Sequence, residues 1–216
     1  MTSRTGPTTG AVLIWVSSMP LPAGPKLIKS TPGSLSPKIN TPAGSTSNEN
    51  LIMHTSSIEL MKSLLDRFAV LGGRTVLELG SQIIPGQEEI GCYRDLIKDK
   101  GCKFIGADIS SGINVDLVLN DGYRFPFKDN EFDLIISGQT MEHMEFPWVW
   151  LTEVKRILKR GGMAIIIAPS KTHEHRHPID TFRYFRDGMI ALAKWTGLEV
   201  VEAGRVSGDT YLVAKK

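Results

Sequence analysis

The sequence predicts an α/β domain in which helices cover both faces of a mostly parallel sheet. From residue 51 onward, short runs of Val, Ile and Leu alternate with segments whose apolar residues recur at helical spacing. Strands that are apolar along their whole length are typical of a parallel sheet buried on both faces. The chain has 216 residues, 41% of them hydrophobic, so one domain of ordinary size can bury a core.

The spacing of apolar residues predicts the elements in order. Ser56 and Glu59 form a capping-box pattern ahead of a helix that ends near Gly72-Gly73. The predicted strands are TVLEL at 75–79, KFIGAD at 103–108, VDLVL at 115–119, FDLIIS at 132–137, MAIIIA at 163–168, LEVVEA at 198–203 and TYLVAK at 210–215. The other predicted helices carry Tyr93, Leu96 and Ile97, span 148–159 before Gly161-Gly162, and span 188–196. The alternation predicts β-α-β units.

The first fifty residues differ in composition from the rest. They are dense in Pro, Gly, Ser and Thr, which cannot bury enough apolar surface to offset the entropy lost on ordering. We expect a flexible tail at 1–50 and a folded domain at 51–216. The longest apolar run, AVLIWV at 11–16, is shorter than the roughly 18 residues needed to cross a bilayer. We therefore expect no membrane span and a cytoplasmic protein.

Charge and cysteine content exclude several classes of protein. The net charge is +2 and the basic residues are spread along the chain, so no nucleic-acid partner is expected. Cys92 and Cys102 form no C-x-x-C pair, which favours reduced structural thiols over a disulfide framework or zinc ribbon. The oligomeric state is left open, a homodimer included.

Small and polar residues follow several of the predicted strands. In an open α/β sheet, ligands bind beyond the carboxyl ends of the strands, where strand order reverses. Gly80 would let a ligand approach the backbone, and Asp108 could accept hydrogen bonds from two ribose hydroxyls. The loop GSQIIPGQEEIG lacks the G-x-G-x-x-G fingerprint, so we expect an adenosine-type cofactor without a pyrophosphate.

Three segments resemble a known family. VLELGS, GADIS and the block from DGYRFPF to IIIAPS resemble the class I S-adenosylmethionine-dependent methyltransferases, in the methyltransferase type 11 group, and the resemblance covers about residues 51–216. It implies a three-layer, Rossmann-like α/β fold with a seven-stranded, mostly parallel sheet, helices on both faces and an antiparallel last strand. It also implies S-adenosylmethionine as cofactor, bound by Glu78, Gly80, Ser81, Asp108, Ile109, Asp121, Gly122 and Gln139.

The glycine loop departs from the family pattern. Gly91, Cys92, Tyr93 and Arg94 match a family signature only when a few residues, IPGQ or nearby, are treated as an insertion. The sequence therefore leaves open whether Gly86 or Gly91 contacts the cofactor.

The stretch HEHRHPID, residues 173–180, has three interpretations. An extended chain would place His173, His175 and His177 on one face, with Asp180 completing a metal site. The stretch could equally be a solvated polar loop. The third interpretation, an acceptor-binding loop, is the one we favour, because long loops at this edge are commonly lids or binding loops. We expect no metal.

The third interpretation assigns roles to particular residues. The family resemblance includes His175, Arg176, Asp180 and Arg183 but not His173 or His177. We predict His143 and His175 as catalytic residues and Arg176, Asp180 and Arg183 as substrate-binding residues. Asp180 and Arg183 are most simply an internal ion pair that shapes the loop.

The predicted function is methyl transfer from S-adenosylmethionine, with oxygen of a small molecule or glycan as the expected acceptor. A hydroxyl acceptor would use a positioned His or carboxylate as general base. The alternative is a non-catalytic binding or scaffold protein that keeps the fold, because the glycine loop is altered. A nucleotide-dependent oxidoreductase is disfavoured by the missing glycine fingerprint.

Overall fold

A seven-stranded sheet forms the middle layer of the domain. In the computed structural model the described residues are 46–216, with side chains described from residue 55. The strand order is β3-β2-β1-β4-β5-β7-β6, with β1 Thr75–Leu79, β2 Lys103–Asp108, β3 Leu117–Val118, β4 Phe132–Gly138, β5 Leu158–Pro169, β6 Glu199–Val206 and β7 Asp209–Lys215. Only β7 runs antiparallel to its neighbours, β5 and β6. The predicted mostly parallel sheet with an antiparallel last strand is confirmed.

Helices cover the two faces of this sheet. They are α1 Thr46–Phe68, α2 Tyr93–Ile97, α3 Pro147–Ile157 and α4 Arg186–Thr196. Alternate residues of a strand face opposite sides, so β5 contributes Ile166 to the core under α3 and α4 and Ile165 to the core under α1 and α2. Trp150 is the largest side chain of the first core, and Met61 is fully buried in the second. The predicted three-layer arrangement is confirmed.

The first helix begins earlier than the sequence pattern predicts. It starts at Thr46, so Ser56 and Glu59 lie inside the helix and the capping-box interpretation is wrong. From Thr46 to Phe68 the chain has no Pro or Gly, the residues that most disfavour a helix. The nearest ones upstream in the sequence are Gly44 and Pro42. Residues 1–45 of the predicted flexible tail lie outside the described residues.

Two other boundaries differ for local reasons. Gly161-Gly162 does not end α3, because the chain already becomes extended at Leu158 and the glycines lie within β5. The third strand shrinks from five predicted residues to Leu117–Val118. Its neighbour Asp116 instead uses its carboxylate, which accepts hydrogen bonds from the Gly106 N–H and from Arg94.

The topology fixes where a ligand can bind. From β1 the chain continues through β2 to β3 on one side, and β4 then returns to the other side of β1. Strand order therefore reverses between β1 and β4, and the crevice beyond their carboxyl ends is the expected ligand site. Among the described residues, none of the helices is long and apolar enough to cross a membrane.

Candidate active site

A cavity of about 540 Å³ opens at the reversal point of the sheet. Glu78 of β1, Asp108 at the end of β2 and Gly138 at the end of β4 all line it. Pockets for small molecules and cofactors are commonly of this size. Most of the residues predicted to bind a cofactor also line it, namely Glu78, Gly80, Ser81, Asp108, Ile109, Gly122 and Gln139.

The turn after β1 brings backbone close to the cavity. Gly80 has φ of 77°, and its N–H donates to the Ala107 carbonyl at 2.9 Å. A Cβ at this position would lie 1.9 Å from Thr140 Oγ1, so only glycine fits here. The next residue, Ser81, is buried and lines the cavity, yet its hydroxyl oxygen has no hydrogen-bond partner among the described residues.

Asp108 is held in place by backbone donors. One carboxylate oxygen accepts the Gln82 N–H at 3.1 Å, and the other accepts the Ser110 N–H at 3.1 Å. Each oxygen keeps a free lone pair for a second donor. The carboxylate is thus oriented before any ligand arrives.

The predicted pair Asp121 and Gly122 is only half at the cavity. Gly122 lines it beside Ile109, which is 45% exposed. Asp121 does not line it among the described residues, and its carboxylate accepts the Tyr123 N–H at 2.7 Å. The carboxylate of Asp121 therefore closes a local turn, and only its backbone neighbour faces the ligand space.

Glu78 places a carboxylate deep in the cavity wall. The residue is 4% exposed and accepts a hydrogen bond from Asn114 Nδ2 at 3.2 Å. Burial is the main cause that raises the pKa of Glu78 to about 8. A cationic ligand beside it would favour the ionised carboxylate and would itself be stabilised by it.

Gln139 connects the cavity to the start of β7. It has φ of 54°, and its side-chain amide donates to Asp209 Oδ1 at 3.0 Å. Asp209 is buried at the start of β7, and desolvation raises its pKa to about 6. The Gln139 amide nitrogen also lies 3.4 Å from Ser57 Oγ, which shares a 2.6 Å hydrogen bond with the Tyr93 hydroxyl.

The loop after β1 contains two later glycines, and one of them lines the cavity. Gly91 lines the cavity, together with Cys92 and Tyr93, whereas Gly86 does not among the described residues. The loop contains one 3₁₀ turn, Glu88–Ile90, immediately before Gly91. The geometry favours Gly91 as the cofactor-side glycine.

Two predicted catalytic histidines meet at one end of the cavity. His143 ends a 3₁₀ turn after β4, Met141–His143, and lines the cavity. His175 comes from the loop between β5 and α4, and the ring centroids of His143 and His175 are 5.2 Å apart. The His177 ring lies 5.8 Å from that of His143, while His175 itself is not among the cavity-lining residues. Three imidazoles therefore gather at this end.

Glu142 lies beside them, and the sequence analysis missed it. The residue is 0% exposed, and burial raises the pKa of its carboxyl group to about 8. Its Oε1 lies 3.7 Å from Nε2 of His143, whose own pKa is lowered mainly by burial. The only sequence signal was the pair Glu142-His143 directly after a predicted strand.

The loop bearing His175 is fastened by an internal ion pair. Arg183 donates to both carboxylate oxygens of Asp180 at 2.6 and 2.7 Å, and Asp180 also accepts the His175 N–H at 2.7 Å. The Thr181 hydroxyl donates to the Glu142 carbonyl at 2.6 Å. Among the described residues, Asp180 and Arg183 do not line the cavity. The loop-shaping ion pair inferred from the sequence is present.

Of the three predicted substrate-binding residues, only Arg176 lines the cavity. Its guanidinium pairs with Glu174 on the surface. The metal site considered from the sequence is not formed as expected, because Asp180 is occupied by Arg183. Among the described residues, the group that could hold a metal is instead Glu142, His143 and His175.

Comparisons with known proteins bear on this cavity. The family described as "Methyltransferase domain" matches residues 89–166. An uncharacterized protein of Methanocaldococcus jannaschii is 33% identical over 126 residues, covering 55% of this chain and 53% of that protein. A demethylmenaquinone methyltransferase of Staphylococcus carnosus is 38% identical over 58 residues, covering 27% of this chain and 24% of that enzyme. The chain thus spans about half, or less, of the curated relatives it matches.

Solved structures share the fold. A chain from a complex with the Trm112 methyltransferase activator of Haloferax volcanii has a TM-score of 0.59 at 20% identity, covering 78% of this chain and 94% of that one. An Aquifex aeolicus SAM-dependent methyltransferase has a TM-score of 0.55 at 20% identity, covering 74% and 97%. A Burkholderia thailandensis N1-methyltransferase with bound S-adenosylhomocysteine has a TM-score of 0.59 at 12% identity, covering 82% and 93%.

The family match and the shared fold agree with the cavity at the reversal point. The match of residues 89–166 and the fold shared with solved methyltransferases support a class I S-adenosylmethionine-dependent methyltransferase with S-adenosylmethionine as cofactor, as the resemblance implied.

The residues of this cavity fit that cofactor. The carboxylate of Asp108 suits ribose hydroxyls, the Gly80 turn allows close approach, and the buried Glu78 suits a cationic group.

The remaining cavity walls come from residues that the sequence analysis had no means of placing there. Ser57 and Ile58 of α1, Tyr93 of α2 and Trp150 of α3 all line the cavity. Ile58 has only helical apolar spacing as its sequence signal, which predicts burial and not a ligand contact. Trp150 is buried, whereas Trp148 is 40% and Trp195 67% exposed.

Proposed function

We propose that this protein transfers the methyl group of S-adenosylmethionine to an oxygen atom of a small molecule or glycan. The observation that carries the proposal is one cavity lined by Asp108, the Gly80 turn and His143. The Asp108 carboxylate has the chemistry for an adenosine sugar, and the His143 imidazole has the chemistry for a hydroxyl acceptor.

The cofactor residues divide the work of binding. Asp108 accepts hydrogen bonds from the ribose, and Ile109 with Gly122 borders the adenine. Glu78, Gly80 and Ser81 face the methionine part, where the buried carboxylate of Glu78 attracts positive charge. The side-chain amide of Gln139 donates a hydrogen bond to Asp209, which fixes the amide in the cavity wall.

The bound cofactor supplies a methyl group that is already activated by a sulfonium centre. The protein's task is therefore to orient the acceptor and exclude water, which can lower the barrier by roughly 7–11 kcal/mol. The cofactor would give its methyl group to the acceptor oxygen and would keep the electron pair of the carbon–sulfur bond on sulfur. The hydroxyl proton leaves at the histidine end, where His143 and His175 are the catalytic residues we propose.

The loop from β5 to α4 shapes the acceptor end. Arg176 faces the cavity and is suited to an anionic or hydroxyl-rich acceptor. Asp180 and Arg183 act through the loop, because their ion pair fixes the backbone that carries His175. We therefore propose Arg176 as the contact residue of the three and the other two as positioning residues.

The proposal is tested by binding and by transfer. Calorimetric titration of the full chain should show that S-adenosylmethionine and S-adenosylhomocysteine each bind with one equivalent, at the same site. Transfer of labelled methyl to a panel of hydroxylated small molecules and glycans should then fall by about 10²–10⁴ in His143→Ala. His175→Ala should lower turnover much more than His173→Ala does.

Three outcomes decide between the hypotheses. Absence of cofactor binding would end the proposal. Binding without transfer to any acceptor would favour the non-catalytic scaffold, and transfer to nitrogen or carbon acceptors alone would contradict the oxygen assignment.

A further inference from the structure

A buried carboxylate without a partner lies at the histidine end of the cavity. Glu142 is 0% exposed, and neither of its carboxylate oxygens receives a hydrogen bond from another described residue. A charged carboxylate in an apolar interior is costly, so the group binds a proton unless it is paired with a cation or coordinates a metal. The charge of Arg183 lowers the pKa of Glu142, but this guanidinium is already bound at two points to Asp180.

Two imidazoles face this carboxylate. Glu142, His143 and His175 each offer one ligand atom, and these atoms all lie within 4.8 Å of one another. Ligands of a tetrahedral zinc ion lie roughly 3.3 Å apart, given bond lengths near 2.1 Å. Each ligand atom would have to move by about 1 Å or less to close around an ion, which small side-chain rotations can provide.

The outer hydrogen bonds of both histidines are those of metal ligands. Nδ1 of His143 lies 2.6 Å from the Ile179 carbonyl, and Nδ1 of His175 lies 3.0 Å from the His173 carbonyl. A carbonyl oxygen only accepts, so Nδ1 carries the proton in each ring and Nε2 keeps its lone pair. Metal-bound histidines typically donate their second nitrogen to a carbonyl or carboxylate in this way.

The ligand types select the class of ion. Two imidazoles and one carboxylate form a set used by catalytic zinc sites and by non-haem iron, whereas magnesium and calcium prefer all-oxygen sites. Such three-ligand sites leave at least one position open. His143 also lines the cavity, so the open position of an ion held here would be next to the acceptor.

We infer that Glu142, His143 and His175 form a site for a divalent transition-metal ion of the zinc class at the acceptor end of the cavity. The expectation of no metal, drawn from the sequence, is replaced on this geometry. As to its use, the inference rests on the proposed function and changes one step of it: imidazoles bound to the ion do not take the proton, so an acceptor hydroxyl on the ion loses its proton to solvent, and its oxygen then attacks the methyl carbon.

The test measures metal binding without any cofactor or acceptor. The full chain is freed of metal by chelation, and Zn²⁺ is titrated in competition with a chromophoric chelator, with metal content checked by elemental analysis. We expect one equivalent of Zn²⁺, not displaced by a large excess of Mg²⁺. His175→Ala should weaken the Zn²⁺ affinity by about 100-fold or more, since losing even an outer hydrogen bond typically costs 10–100-fold.

Matched variants keep the test decisive. His173→Ala lies in the same loop, outside the three-residue set, and should change the affinity by less than about threefold. Glu142→Gln keeps the side-chain shape but removes the charge; because it is buried and can disturb folding, His175→Ala carries the result and circular dichroism checks both. Wild-type protein that binds less than a tenth of an equivalent, or equal affinities of His175→Ala and His173→Ala, would overturn the inference.

The inference and the proposed function can fail separately. Zn²⁺ binding in a chain that does not bind S-adenosylmethionine would uphold the site and end the methyl-transfer proposal. Cofactor binding and methyl transfer to an oxygen acceptor without Zn²⁺ binding would uphold the proposed function and end the metal site.

Discussion

The ion pair between Asp180 and Arg183 should be among the strongest polar contributions to the loop that carries His175. The hydrogen bond that Arg183 donates to Asp180 is the main cause that lowers the pKa of Asp180 from 3.8 to about 2. At roughly 1.4 kcal/mol for each pKa unit, this difference corresponds to about 2 kcal/mol of folding free energy. The side chains are 2% exposed for Asp180 and 22% for Arg183, so solvent screens the pair only weakly.

The perturbation is Asp180→Asn, which removes the charge and keeps an acceptor for the His175 N–H. We expect the free energy of unfolding at pH 7 to fall by about 2 kcal/mol, measured by urea denaturation. Because the folded-state pKa lies below the unfolded one, this stabilisation is fully present above pH 4. It is lost as the pH falls towards 2, so the difference between wild type and variant should shrink over that range.

Glu174→Gln is the matched control in the same loop. The pair of Glu174 with Arg176 is 67% and 73% exposed, so its removal should cost well under 1 kcal/mol. The double variant Asp180→Asn with Arg183→Gln should cost less than the sum of its two single changes, because the two residues interact directly. Equal costs for Asp180→Asn and Glu174→Gln, or a difference that does not change between pH 4 and 2, would refute the reasoning.

Two further predictions concern the cavity walls. Gly80→Ala should destabilise the fold by about 1–3 kcal/mol more than Gly86→Ala in the same denaturation assay. Both glycines have positive φ, but only at position 80 would a Cβ collide, 1.9 Å from Thr140 Oγ1; equal losses would contradict the close approach. For Asp209, burial raises the pKa from 3.8 to about 6, so the protonated form is favoured by folding and stability should decline as the pH rises from 4 through 6. Asp209→Asn should flatten that decline, and an unchanged pH profile would count against the burial.

Much of the sheet could be predicted because several strands are rich in Val, Ile and Leu. TVLEL and KFIGAD coincide with β1 and β2 to the residue, and four of the five residues of β1 are buried. The start of α1 could not be placed, because a Ser-Glu pair has the same spacing inside a helix as at its cap. The two-residue β3 depends on the side chain of Asp116, whose partners are distant in sequence.

The candidate site likewise has a part that the sequence predicts and a part that it does not. Gly80 and Asp108 follow strands whose neighbours are fixed by the topology, so their meeting at one edge could be expected. The cluster of Glu142, His143 and His175 could not, because it requires a loop of the β5–α4 connection to fold back onto the turn after β4. Thr181 makes that contact, and nothing in local spacing signals it.

The account depends most on the ribose contact at the end of β2. Calorimetric titration of S-adenosylmethionine into the full chain should show that Asp108→Ala weakens the Kd by about 10–100-fold, the loss expected for hydrogen bonds to a charged acceptor of about 1.5–3 kcal/mol. Asp187→Ala removes a carboxylate that is 94% exposed on α4 and should leave the Kd unchanged. Equal affinities of the Asp108→Ala and wild-type proteins would contradict the account.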